Sequence, residues 1–127
     1  SPKKLYQASS KAREQFSVKS TGVDQLMRAL SGGNKQKVNL GRWLIKDLDV
    51  LIVDCPTRGV DIGVKAYIYQ CLREAKEKGM AILLITDELS EVLGMADTIA
   101  VMKDGEICKL LPRSAELSEE TIIEVMT

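Results

Sequence analysis

The sequence holds no histidine, a single phenylalanine, a single tryptophan and no net charge. The missing histidine removes the commonest zinc ligand and every His-based general base. Aromatic residues make up 4%, too few for the platforms on which nucleic-acid bases stack. Eighteen basic and eighteen acidic side chains cancel, so there is no basic footprint and no nucleic acid is expected as a partner. No apolar run approaches the length of a membrane-spanning helix, and Ser1-Pro2-Lys3-Lys4 leads into no signal-like segment. The three cysteines form no C-x-x-C pair and read as reduced, cytosolic thiols. What is present is ordinary for a globular chain: 127 residues, 45% apolar and 28% charged, enough for one domain with a real core.

Local patterning predicts an α/β organisation. Residues 1–21 are polar and weakly patterned, with Leu5, Tyr6, Phe16 and Val18 available to a short helix or an extended lead-in. Val23–Leu30 suits a short helix that breaks at Ser31-Gly32-Gly33. A helix is expected over Lys35–Lys46, with Val38, Leu40, Gly41, Leu44 and Ile45 on its apolar face and Ser31 as its cap. Asp49–Asp54 and Met80–Ile85 are apolar without alternation, which predicts strands buried on both faces of a largely parallel sheet. Between them, Val64–Lys78 reads as a crossover helix with Ala66, Ile68, Tyr69, Leu72 and Ala75 inward, closed by Gly79. A short helix is expected over Asp87–Met95. Lys103-Asp104-Gly105 between two apolar runs signals a hairpin. Ser118–Met126 is expected to be the last helix, with Glu119 and Glu120 favourable in its first turn.

Two places stand out chemically. Ser31, Gly32 and Gly33 precede a helix, where free N–H groups attract anions and glycines permit close approach. The plain alternative is a capped loop. Asp54 lies at the C-terminal tip of a strand, the usual ligand edge of an α/β sheet. Its plain alternative is a loop-capping carboxylate. Cys55 follows; a thiol is a weak hydrogen-bond acceptor, and no histidine is present to activate it, so it reads as a packed thiol. Asp61 reads equally as a group that bonds across a subunit interface or as the cap of the helix at Val64. Asp87 and Glu88 read as groups near the ligand edge or as helix caps.

In order along the chain, Leu30-Ser31-Gly32-Gly33-Asn34-Lys35-Gln36-Lys37-Val38, Leu51-Ile52-Val53-Asp54, Val60-Asp61 and Thr86-Asp87-Glu88 resemble the signature, Walker B strand, D-loop and switch of the ATP-binding-cassette ATPases. The resemblance covers about residues 22–111. Gly33–Val38, Pro56–Asp61 and Glu88–Met95 further resemble the second cassette of the duplicated ATPases of bacterial sugar importers of the ribose, galactose and xylose type. The fold this implies is an incomplete P-loop NTPase-like cassette, with a largely parallel sheet and flanking helices and without its Walker A portion. Residues 1–32 would be a remnant of the helical subdomain, 33–111 the Walker B, D-loop and switch core, and 112–127 a C-terminal helix. The chain would then be a C-terminal fragment of one cassette.

The resemblance also implies roles. Ser31, Gly32, Gly33, Gln36, Asp54 and Asp61 would be the nucleotide-binding residues, with Asp54 reaching the magnesium shell of ATP and Mg2+ in the full assembly. Two cassettes pair head to tail in this family, so the signature would serve ATP held by a partner cassette on the same or another chain. A membrane permease and, indirectly, a periplasmic sugar-binding protein would complete the assembly. It would sit peripherally at the cytoplasmic face of the inner membrane. Cys55 stands where the family has its catalytic Glu, and Asp87 where it has the switch His or, in sugar-importer second cassettes, often Ser. An ionised Asp there repels a γ-phosphate rather than donating to it. No catalytic residue is therefore assigned. The isolated chain is expected not to hydrolyse ATP, since it has no P-loop lysine. The alternative is a degenerate, non-hydrolytic cassette acting as a regulatory or interaction domain.

Overall fold

The computed structural model describes residues 2–15 and 32–127. Expectations for Phe16, Val18, Val23–Leu30 and Ser31 fall outside the described residues. The chain divides into two compact units, Ser1–Leu83 and Leu84–Thr127. The second unit closes a core of its own, described below.

The first unit begins with α1 (Pro2–Gln15), which carries Leu5 and Tyr6 exposed. The ambiguous lead-in is thus helical as far as Gln15. Helix α2 (Gly32–Leu44) starts earlier than expected. The two glycines open the helix instead of breaking it, because first-turn N–H groups need no partner within the helix. Leu40 and Gly41 are buried, while Ile45, expected on the inward face, lies beyond the helix end and is exposed.

Strand β1 (Val50–Asp54) corrects the reading of a strand buried on both faces. Leu51 and Val53 are buried, but Val50 is 59% and Ile52 63% exposed. Successive side chains of a strand point to opposite sides, and here only one side is covered. Among the described residues β1 pairs with β2 (Ala81–Ile85) alone. The Ala81 N–H donates to the Asp49 carbonyl at 2.9 Å, so the two strands start side by side and run parallel. Strand β2 likewise leaves Leu83 and Ile85 exposed.

Helix α3 (Ile62–Glu77) makes the crossover and buries Ile68, Leu72 and Ala75. Their spacing of four and three residues is that of one helical face. Ala66, expected inward, is exposed. The helix closes in a Schellman motif: the Gly79 N–H donates to the Lys76 carbonyl (2.9 Å) and the Met80 N–H to that of Ala75 (3.1 Å). Gly79 takes the left-handed conformation this requires, at φ +97°.

The second unit holds α4 (Leu89–Met95), β3 (Thr98–Lys103), β4 (Glu106–Pro112) and α5 (Glu119–Met126). Strands β3 and β4 form an antiparallel hairpin closed by Asp104 and Gly105, both at positive φ, as a two-residue primed turn demands. The register shifts between Val101 and Met102 and leaves Cys108 without a pairing position. Ile99, Val101 and Ile122 form the core, covered by Leu89, Val92, Leu93, Leu111, Leu117 and Val125 among others. Ser118 caps α5 in a reciprocal box with Thr121. The Arg113 guanidinium donates to the Leu93 and Ala96 carbonyls, both at 2.9 Å, and so satisfies the end of α4.

Candidate functional site

Five of the six proposed nucleotide-binding residues lie on three elements of the first unit. Gly32 and Gly33 form the first turn of α2, and Gln36 lies one turn further along on the same side of the helix. Asp54 ends β1, and Asp61 caps α3. Ser31 is outside the described residues.

The two glycines are not equivalent. Among the described residues, a Cβ at Gly32 would meet nothing within 4 Å. A Cβ at Gly33 would fall 2.9 Å from Val64 Cγ2 and 3.5 Å from Cγ1. Gly32 therefore leaves room in front of the helix start, whereas Gly33 lets α2 press on the first turn of α3. One turn along each helix, the Lys37 ammonium lies 4.6 Å above the Tyr67 ring, a cation–π contact.

Asp54 is exposed at the strand tip. A lone carboxylate matches how magnesium is usually held, by one or two carboxylates together with phosphate oxygens. Among the described residues no three His, Cys, Asp or Glu side chains cluster as a complete cage. Cys55 then turns the chain sharply at φ +46°. Its carbonyl accepts from the Arg58 N–H at 3.2 Å. Thr57 is buried in this turn region, and Gly59 adds a second left-handed residue at φ +74°.

Asp61 answers one of the two readings left open. Its Oδ1 accepts from the Val64 N–H at 2.9 Å, an N-cap. In the second unit, the Thr86 hydroxyl accepts from the Glu88 N–H at 3.0 Å. Glu88 occupies the N-cap position of α4 without capping it through its carboxylate, so that part of the helix-cap reading is corrected. The backbone bond to Thr86 fixes the turn instead. Asp87 is exposed beside it, and Glu91 is buried one turn on.

A cleft of about 600 Å3 also opens in the first unit. It is lined by Asp49 and Met80, at the starts of the strands, and by Tyr67, Cys71 and Glu74 of α3. It thus lies away from the Asp54 tip. Burial pushes the Cys71 thiol up, partly offset by a hydrogen bond with the Tyr67 side chain.

Sequence reasoning placed Asp54 at the tip of its strand and Asp61 at the start of its helix, but set Gly32 in a break ahead of α2 rather than in its first turn. It missed Val64 as a contact of Gly33 and the left-handed turn at Cys55.

No protein-family model matches the chain. The ribose import ATP-binding protein of Lactococcus lactis is 46% identical over 114 residues, 90% of this chain. The L-arabinose transport ATP-binding protein of Geobacillus stearothermophilus is 44% identical over 119 residues, 94% of this chain. In structure, an ATP-binding cassette of an ABC transporter solved in its ADP conformation matches with a TM-score of 0.75 and 29% identity over 94% of this chain. The chain is part of an ATP-binding cassette. It covers 48% of that solved cassette and 23% of each of the two import proteins. A dimeric bacterial ABC transporter cassette also shares the fold, with a TM-score of 0.76 at 22% identity. Within the cassette segment, no helix among the described residues is long and apolar enough to cross a membrane.

Proposed function

We propose that this cassette segment belongs to the ATP-binding subunit of a sugar importer and couples ATP binding and hydrolysis to uptake. The observation that carries the reading is the start of α2 at Gly32, where a Cβ would meet none of the described residues within 4 Å, in a chain 44–46% identical to ribose and arabinose import proteins. The helix start offers N–H groups and a partial positive charge to an anion. Ser31, Gly32, Gly33 and Gln36 would face the γ-phosphate of ATP bound by a partner cassette, on the same or another chain. The Ser31 hydroxyl would add a donor, and Asp61 would sit beside the junction between the two cassettes. Asp54 would contribute to the magnesium shell at this cassette's own nucleotide position, where Mg2+ neutralises phosphate charge.

The working assembly would include a membrane permease and, on the far side of the membrane, a sugar-binding protein. The cassette would sit peripherally on the cytoplasmic face. Cys55 and Asp87 replace the two side chains that would orient water and contact the γ-phosphate, so this cassette's own side would bind without hydrolysing. Cys55 also favours the second reading, a non-hydrolytic regulatory or interaction domain.

Gly32→Asp in the full-length protein tests the site. It places a negative charge where the anion would sit and creates no clash with the described residues. Gly33→Asp would confound charge with a collision at Val64. Expected is loss of at least about tenfold in ATP hydrolysis and uptake by the reconstituted transporter. Unchanged activity would discard the γ-phosphate contact and favour the regulatory reading.

A further inference from the structure

We propose that Val64 is a positioning residue for the anion-facing start of α2, and that Gly33 is glycine in order to rest on it; this builds on the proposed contact of that helix start with a partner's nucleotide. Four observations converge. A Cβ at Gly33 would fall 2.9 Å from one Val64 methyl, 3.5 Å from the other and 3.6 Å from the Val64 Cβ. Clearing the nearer methyl would take Val64 out of the one main rotamer that a β-branched side chain holds in a helix. The Val64 N–H is itself fixed, donating to Asp61 Oδ1 at 2.9 Å. The seat for Gly33 is thus part of the capped first turn of α3. A further contact, Lys37 over Tyr67 at 4.6 Å, repeats the pairing one turn along both helices and keeps α2 from pivoting about the first. Gly32, by contrast, meets nothing among the described residues. The two glycines divide the work: Gly32 leaves the front of the helix clear of the described residues, and Gly33 sets where that front lies.

The chain from Asp61 through Val64 to Gly33 makes the position of the anion-facing turn depend on the cap of α3. Displacement of a positioning element by about an ångström can cost on the order of a hundredfold in rate, so an added methyl at Gly33 has a readable effect.

The test uses the full-length protein reconstituted with its transporter. Gly33→Ala is expected to lower kcat for ATP hydrolysis by about tenfold or more with little change in KM for ATP, because the nucleotide is bound by the partner. Val64→Ala in the same chain reopens the space, and the double variant is expected to regain kcat to within about threefold of the parent. Gly32→Ala, which collides with none of the described residues, is expected to gain nothing from Val64→Ala. Thermal melting of the same variants reports the contact separately: Gly33→Ala melts lower, and the double variant recovers. A double variant no better than Gly33→Ala in both readouts overturns the proposal, as does full activity of Gly33→Ala. If Gly32→Asp leaves hydrolysis unchanged, the reading of the site falls and the functional half of the proposal with it. The melting pair then still decides whether Val64 seats Gly33.

Discussion

Cys55 holds the chain at φ +46° immediately after Asp54, a conformation that costs an L-residue with a Cβ about 1–2 kcal/mol. The strand has to end there and the backbone has to turn, with the Cys55 carbonyl taking the Arg58 N–H. Glycine adopts this geometry freely but loses more entropy on folding, about 0.5–1 kcal/mol. Cys55→Gly is therefore expected to raise stability by up to about 1 kcal/mol, and Cys55→Val to lower it, since a β-branched residue tolerates this region worst. Thermal unfolding of the two variants beside the parent measures both. Gly33 shows the opposite balance. Helix propensity alone favours alanine by about 1 kcal/mol, whereas overpacking typically costs about 1–3 kcal/mol, so the collision with Val64 outweighs the gain in propensity. A position that reads as flexible is held by its neighbour. Neither feature was legible in the sequence, because a left-handed residue and a cross-helix approach are set by what the chain meets in space.

At the scale of elements, the ends were the legible part. Asp61, Gly79, Asp104-Gly105 and Ser118 each satisfy or turn the backbone within a few residues, so local sequence suffices to place them. The start of α2 was misplaced because two glycines read as a break, though a helix tolerates them where its N–H groups are unpaired anyway. Strands β1 and β2 were identified correctly, but their burial was not. An apolar run says that both faces suit burial; it does not say that both are covered. The two clear N-caps allow a direct check. Asp61→Ala and Ser118→Ala are each expected to cost about 1 kcal/mol, while Asp61→Asn, which keeps an acceptor for the Val64 N–H, costs far less. Midpoints of urea unfolding decide between these outcomes.

For the whole molecule, the uncovered side of the first unit's sheet matters most. Val50, Ile52 and Leu83 stand exposed on paired strands. Contiguous apolar surface of this kind marks an interaction surface or an aggregation liability. The 127-residue chain alone is expected to self-associate at micromolar to millimolar concentration, and Ile52→Lys, which leaves the buried Leu51 and Val53 in place, is expected to reduce it. Light scattering of both chains across a dilution series reads the difference. The second unit carries its own exposed apolar residues, and one extra position creates their arrangement. A strand assigns residues to its two sides by parity, odd to one and even to the other. Cys108, unpaired in the hairpin, inverts that parity midway along β4. Ile107 and Leu110, of opposite parity, thereby come to the same side as Met102 and Ala100, their partners in register. Remove one residue there and the assignment reverses: the hairpin would keep its composition and present a different surface.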